Sequence, residues 1–302
     1  MHKFLIILTG PTGIGKTSTG LELAKYFKTE IVSSDSRQIY KELQIGTAVP
    51  SKEELAKIKH HLIQTHSILE NFNVSKFENE AISIINSLFK KYDLVLLVGG
   101  SMLYIDAICN GIDNMPDADP EIRKMLKEKL DTEGIESLRF QLKKIDPNYY
   151  NSVDLKNTNR ILHALELSIL TGKPYSSFLS KSKKKRSFSI IKIGLNCQRD
   201  KLHNIINTRV DNMINEGLED EARSLYHLKY LNALNTVGYR EFFEFFDNKI
   251  SREKAIELIK RNSRRYARKQ LTWFRNDDEM NWFEQNQTKE IITFIENKIS
   301  EK

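Results

Sequence analysis

Gly10-Pro11-Thr12-Gly13-Ile14-Gly15-Lys16-Thr17 combines residue types that can hold a diphosphate or triphosphate. Gly10, Gly13 and Gly15 permit a tight backbone turn that points successive N–H groups inward. Lys16 adds a point charge for phosphate oxygens, and the Thr17 hydroxyl can ligate Mg²⁺. The loop follows an apolar run, Phe4 to Leu8, and precedes Leu21, Ala24, Lys25 and Phe27 at helical spacing. Strand, glycine-rich loop and helix in that order are the context a P-loop needs. The helix N-terminus adds partial positive charge where phosphate would lie. That context disfavours an ordinary glycine turn capping a helix. The loop alone does not identify the phosphate ligand.

Asp35 follows a second apolar run, in Ile31-Val32-Ser33-Ser34-Asp35-Ser36-Arg37-Gln38. Ligands of open parallel sheets bind beyond the carboxyl ends of the strands. Asp35 is therefore either a carboxylate that accepts a proton from a nucleophile or a cap of the next helix. The run Asp93 to Val98 ends in Gly99-Gly100-Ser101. Two glycines and a hydroxyl suit close backbone approach to a ligand and not metal ligation, so a Walker-B carboxylate is not evident. Asp131-Thr132-Glu133-Gly134 has the spacing of a GTPase switch but sits at the end of a charged helix and reads as a helix stop. No Asn-Lys-x-Asp guanine-reading motif occurs. A P-loop small-molecule kinase with Asp35 as base is one alternative, and an RNA-binding module with a structural nucleotide site is another.

Lys260, Arg261, Arg264, Arg265, Arg268 and Lys269 precede Trp273-Phe274 on one predicted helix. Arg261, Arg264, Arg265 and Arg268 fall on one broad face. That face would either contact nucleic-acid phosphates or be a solvated surface paired with Glu253 and Glu257. His60-His61 has no further close-spaced ligands, which favours packing or polar contacts over metal.

These groups need a scaffold, and the chain has the means to build one. Its 302 residues, 40% apolar and 29% charged, suit a large core without disulfides. Cys109 and Cys197 are isolated, as in a reducing compartment. The net charge of +7 suggests a polyanionic partner. No run of roughly eighteen apolar residues occurs, so a soluble, cytoplasmic protein without membrane association is expected. Residues 3–9, 30–34, 94–98 and 188–196 read as strands separated by helical patterns, which implies a parallel sheet flanked by helices. Residues 116–180 differ. Asp119-Pro120 opens one helix carrying Leu126 and Leu130. A second uses Ile135, Leu138, Leu142 and Ile145 and ends before Asp146-Pro147. A third runs from Thr158 to Thr171, stopped by Gly172 and Pro174. The division expected is an α/β core of residues 1–115 and 187–302 with an all-helical insertion, 116–186. The basic run Lys181 to Arg186 returns the chain to the sheet, and from residue 200 onward the pattern reads as helical to the end.

Beyond the loop, further motifs follow in one order. They are Ser33-Ser34-Asp35-Ser36-Arg37-Gln38-Ile39-Tyr40, Ile45-Gly46-Thr47-Ala48, His60-His61-Leu62-Ile63, and Val98-Gly99-Gly100-Ser101-Met102-Leu103-Tyr104. Asn159-Arg160 with Ala164-Leu165-Glu166, Thr171-Gly172-Lys173-Pro174, Val237-Gly238-Tyr239-Arg240 and Arg268-Lys269-Gln270-Leu271-Thr272-Trp273-Phe274 complete the series. With them the chain resembles, over nearly its whole length, the tRNA dimethylallyltransferases (tRNA isopentenyltransferases), a family with a P-loop NTPase-like α/β core and a small helical insertion. The resemblance implies transfer of a dimethylallyl group from dimethylallyl diphosphate to N6 of adenosine 37 in tRNA, with Mg²⁺ and a through-channel. The P-loop would then hold the pyrophosphate of the prenyl donor rather than ATP. By matching position, Asp35 is the general base. Thr12, Gly13, Gly15, Lys16 and Thr17, within the diphosphate-binding stretch Gly10 to Thr17, stabilise the leaving pyrophosphate together with Arg209. Read without the resemblance, Arg209 in Asn207-Thr208-Arg209-Val210-Asp211 is a helix-surface partner of Asp211 or another carboxylate.

The resemblance further assigns tRNA contacts to Asp35, Ser36, Arg37, Gln38, Ser101, Arg123, Asn159, Arg160, Ile161, Leu162, His163, Asn235, Thr236, Val237, Gly238, Tyr239 and Arg240. The insertion and basic loop are expected to embrace the anticodon stem, and the enzyme to act as a monomer. Ser101 stands where threonine is commoner, with the hydroxyl kept, and His163 where arginine is frequent. No Cys/His zinc finger like that of eukaryotic relatives is present, so a bacterial-type enzyme is expected.

Overall fold

A computed structural model describes residues 2–113, 115–116, 119–179 and 184–301. The chain forms two compact units, residues 1–110 with 185–302, and residues 111–184. Lys181, Ser182 and Lys183 of the basic loop lie outside the described residues.

The first unit is built on a six-stranded, all-parallel sheet. Its strands are β1 (Phe4–Thr9), β2 (Ile31–Ser33), β3 (His60–His61), β4 (Leu94–Val98), β5 (Ser189–Asn196) and β6 (Met280–Glu284), in spatial order β3-β2-β4-β1-β5-β6. Every residue of β1, Phe-Leu-Ile-Ile-Leu-Thr, is buried. That continuous apolar run suits a central parallel strand covered on both faces. Phe4 pairs with Leu94 on one side and with Ser189 on the other.

Side-chain alternation along β1 divides the core. Leu5 and Ile7 face a cluster that includes Phe77, Ala81 and Ile85 of α3 (Val74–Leu88). Phe4, Ile6 and Leu8 face a second cluster with Leu23 and Ala24 of α1 (Lys16–Tyr26). Short α2 (Lys52–Lys57) precedes β3, and α4 (Met102–Asn110) follows β4. Tyr104 of α4 stacks on Phe77 with ring centroids 3.8 Å apart. Among the described residues, no helix is long and apolar enough to cross a membrane.

The second unit holds α5 (Pro120–Glu133), α6 (Ile135–Ile145), α7 (Pro147–Ser152) and α8 (Thr158–Thr171) around Leu126, Leu138, Leu142, Ile161, Leu162 and Leu165. Asp119 caps α5 through the N–H groups of Glu121 and Ile122, with Pro120 in the first turn. Gly134 and Gly172 end α5 and α8 with φ of 77° and 68°, a region that suits glycine. Asp131-Thr132-Glu133-Gly134 is thus a helix end.

After β5 the first unit resumes with α9 (Arg199–Asn215), α10 (Leu218–Ser224), α11 (Tyr239–Phe246), α12 (Arg252–Arg275) and, beyond β6, α13 (Thr288–Ser300). The reading of a helical pattern from residue 200 to the end is therefore corrected: Met280–Glu284 is an edge strand of the sheet. It is five residues long between two helices, too short to announce itself by periodicity. It pairs with β5 so that Trp282 opposes Gly194, where a Cβ would stand 2.7 Å from the indole ring. β3, only two residues, was likewise not expected as a strand. There His60 Nδ1 meets the Ile58 carbonyl at 2.8 Å and His61 Nε2 meets Glu30 at 2.6 Å.

Candidate active site

All strands being parallel, the loops after β1, β2, β4 and β5 open on one edge of the sheet. The P-loop lies after β1. Gly10, Gly13 and Gly15 take φ of 145°, 85° and 91°. A Cβ at Gly10 would also stand 2.6 Å from the Leu195 carbonyl oxygen. Lys16 Nζ donates to the carbonyls of Gly10 (3.0 Å) and Pro11 (2.9 Å), so its charge sits over the loop. Burial, helped by the nearby Arg209 charge and opposed by Asp35, lowers the Lys16 pKa to about 8.

Arg209 is on α9 and reaches the same place. Its Nη1 donates to Thr12 Oγ1 at 3.3 Å. Burial lowers its pKa, and Asp35 opposes that shift. A surface pair between Arg209 and Asp211 does not form, because Asp211 pairs with Lys260 at 2.5 Å. The side of α9 bearing Arg209 and Val210 packs inward, and Asp211 looks out.

Asp35 Oδ1 accepts from the N–H groups of Arg37 (2.8 Å) and Gln38 (3.1 Å), closing a turn and not a helix. Oδ2 makes no hydrogen bond among the described residues. Thr12, Asp35, Ser36, Arg37 and Arg209 line a cavity of about 350 Å³ together with Gly46, Thr47, Asn235, Thr236, Val237, Gly238 and Arg240. Val210, Met213, Leu218 and Ile259 give it an apolar side.

Some anticipated residues stand behind that cavity. Ser101 Oγ accepts from Ser36 N at 2.8 Å. Gln38 Nε2 donates to the Thr47 and Ala48 carbonyls. Tyr239 is fully buried. The missing Cβ atoms of Gly99 and Gly100 make room for protein: Ser34 would be 2.4 Å from a Cβ at Gly99, and Gln270 Nε2 2.4 Å from one at Gly100.

Gln270 was not anticipated as part of the site. It is 2% exposed on α12. Its Oε1 accepts from Thr12 N at 2.9 Å and its Nε2 donates to Gly100 O at 2.8 Å. The available signal was a polar residue in the buried stripe Ala255, Ile259, Ala267, Gln270, Phe274, since a buried amide demands partners.

In the helical unit, Arg123 is held at 2.9 Å by Glu166, a buried carboxylate whose Oε1 has no partner among the described residues. Asn159 and Arg160 are on the surface side of α8, whereas the Ile161 and Leu162 side chains lie in the unit's core. Burial lowers the His163 pKa below its ordinary value, so at pH 7 this ring is neutral where an arginine would be charged.

On α12, Lys260 pairs with Asp211, Arg264 donates to Asn207 at 2.5 Å, and Glu257 pairs with Lys254. Arg261, Arg265 and Arg268 make no ion pair among the described residues. With Arg199, Arg264 and Arg275 they line a cleft of about 430 Å³. The alternative of a face neutralised by Glu253 and Glu257 is not what forms.

The oxygen donors available to a hard cation fit Mg²⁺. Thr17 Oγ1 is free of hydrogen bonds among the described residues at the first turn of α1, and no cluster of three His, Cys, Asp or Glu side chains competes there. Mg²⁺ keeps several waters and commonly takes one protein oxygen beside phosphate oxygens.

The sequence profile of one protein family, described as IPP transferase, matches residues 38–277. A tRNA dimethylallyltransferase 1 of Bacteroides fragilis (strain YCH46) is 50% identical over 98% of this chain and 99% of its own length. A tRNA dimethylallyltransferase of Christiangramia forsetii is 51% identical over 99% and 100%. The crystal structure of the full-length tRNA isopentenylpyrophosphate transferase from Bacillus halodurans superposes with a TM-score of 0.73 at 37% identity, covering 100% of this chain and 98% of that one.

Proposed function

The chain belongs to the IPP transferase family, and on that basis we propose that it is a tRNA dimethylallyltransferase, moving a dimethylallyl group from dimethylallyl diphosphate to N6 of adenosine 37. Family membership disfavours the small-molecule kinase. The observation that carries the chemistry is the convergence of Thr12, Arg209 and Asp35 on one cavity beside the P-loop.

As the bond from the allylic carbon to oxygen breaks, negative charge grows on the departing pyrophosphate. The N–H groups of Gly13, Gly15, Lys16 and Thr17, the Lys16 ammonium and the Arg209 guanidinium stabilise it. Thr17 would hold Mg²⁺ through its hydroxyl, and the cation would supply further charge neutralisation when bound. The adenine amine is a poor nucleophile because its lone pair is conjugated with the ring. Asp35 accepts its proton as the N–C bond forms. The Asp35 turn uses one carboxylate oxygen and leaves the other for that purpose.

The target base has to leave its stack to reach Asp35. Ser36, Arg37, the segment Asn235 to Gly238 and Arg240 line the space that would receive it, with Gln38 and Ser101 supporting that wall. Arg123, Asn159 and Arg160 are polar groups of the helical unit suited to the anticodon stem-loop, and the arginines of α12 suit phosphates. The enzyme is read as a cytoplasmic monomer.

Incubation of radiolabelled dimethylallyl diphosphate with unmodified tRNA and Mg²⁺, without ATP, tests this. Label at A37 is expected. No transfer beside an active control enzyme would reject it.

A further inference from the structure

On the reading of the cavity as the acceptor site for a tRNA base, we infer that Glu221 is a positioning residue that sets the shape of that site. Glu221 lies on α10 and does not line the cavity. Its carboxylate gathers the two walls that do. Oε2 accepts from Gln44 N (3.1 Å) and Ile45 N (2.8 Å). Oε1 accepts from Gly46 N (2.9 Å) and from the Tyr239 hydroxyl (2.6 Å). Three successive backbone N–H groups and a phenol thus share one side chain. Charge-assisted bonds of this kind are the stronger class of hydrogen bond.

The fit between the walls is tight. A Cβ at Gly46 would stand 2.6 Å from the Tyr239 ring. Tyr239 is 0% exposed, and burial, with the Glu221 charge, keeps its phenol protonated as a donor. The residue before it, Gly238, has φ of 102° and donates its N–H to Glu241. Gly46 and Thr47 form one side of the cavity, and Asn235 to Gly238 form another.

The far end of the loop is held from the catalytic side. Gln38 Nε2 donates to the carbonyls of Thr47 and Ala48, and Gln38 N donates to Asp35 Oδ1. Ala48 has φ of 47°, a left-handed conformation that costs energy in a residue with a Cβ. The loop is therefore stretched between Asp35's turn and Glu221. Glu221 fixes where the acceptor wall stands relative to the carboxylate that takes the proton.

Glu221→Gln is the discriminating change. An amide turns an –NH₂ donor toward either the N–H groups of residues 44 and 45 or that of Gly46, so one side of the loop loses its acceptor and meets a donor. Tyr239→Phe removes one of the four bonds and keeps the ring against Gly46, so it serves if Glu221→Gln fails to fold. The readouts are steady-state kinetics for tRNA and for dimethylallyl diphosphate, and the Kd of inorganic pyrophosphate.

The expected result is a fall of about 10- to 100-fold in kcat/KM for tRNA in Glu221→Gln, since misplacement of about 1 Å can cost that much. A smaller fall is expected in Tyr239→Phe, and partial recovery in Glu221→Asp. Pyrophosphate Kd and the KM of the donor stay unchanged. Equal losses for both substrates, tracking only the fraction of folded protein, would overturn the role of Glu221. A wild-type enzyme with no transfer at all would instead overturn the function on which that role depends.

Discussion

Gln270 ties Thr12 to Gly100: one side-chain amide accepts from the Thr12 N–H at 2.9 Å and donates to the Gly100 carbonyl at 2.8 Å. The P-loop after β1 and the glycine turn after β4 are thereby braced from a helix 258 residues away in sequence from Thr12. Gln270→Ala would strand both backbone groups. Leaving a buried donor or acceptor unpaired costs roughly 1–3 kcal/mol each. Thermal unfolding should show a Tm several degrees lower. Gln270→Glu keeps the acceptor for Thr12, loses the donor to Gly100 and adds a negative charge beside the P-loop. It should weaken pyrophosphate binding beyond its effect on Tm, and titration calorimetry beside the melt separates the two.

On the proposed function Asp35 has two duties, closing its turn and accepting the proton, and Asn distinguishes them from each other. The amide oxygen can still accept from Arg37 and Gln38, so Asp35→Asn keeps the turn. It cannot accept the N6 proton at neutral pH. We expect kcat to fall by about 10²–10⁴-fold with tRNA affinity nearly unchanged, whereas Asp35→Ala should lose affinity as well. Single-turnover rates and filter binding on both variants check this. A fully active Asp35→Asn enzyme would remove the carboxylate from the chemistry.

Lys16 carries a pH signature. Its pKa in the free protein is lowered to about 8, first by burial and then by Arg209. Below that pH the ammonium is charged and, on the proposed function, binds diphosphate. Above it the amine is neutral, and a bound anion must restore the proton. Affinity for pyrophosphate should therefore weaken as pH rises through about 8, and binding at a pH just above that value should take up protons. Calorimetry in buffers of different ionisation enthalpy measures that uptake. Lys16→Arg should bind without it, because guanidinium stays charged. Equal proton uptake by the two proteins would show that Lys16 does not titrate on binding.

Arg265 and Arg268 are exposed on α12 and have no carboxylate partner among the described residues. If they meet phosphates, replacing both with alanine should weaken tRNA binding and flatten the dependence of log Kobs on log salt by about 0.7–0.9 for each phosphate no longer neutralised. Lys260→Ala should change the slope less, because Asp211 already neutralises that lysine. Binding measured across a salt series decides it; an unchanged slope in the double variant would exclude this face from the footprint.

Whatever neighbours along the chain can settle was legible in the sequence. The P-loop is legible because its glycines, lysine and threonine act on one another within one short loop. The central strand is legible because Phe4 to Leu8 is apolar on both faces, and α5, α6 and α8 are legible from their caps and apolar spacing. The order of motifs along the chain pointed to the family. Which distant groups meet was settled by packing in three dimensions. Arg209 could as well have paired with Asp211, its near neighbour in sequence, but packing of α9 turns it to Thr12 and leaves Asp211 to Lys260. Gln270 and Glu221 look like any polar residue on a helix until the elements around them pack. β6 exists because Gly194 leaves room for Trp282 against β5. Local propensity and spacing fix which face a residue occupies on its own element, whereas hydrogen bonds between elements depend on which faces are packed together.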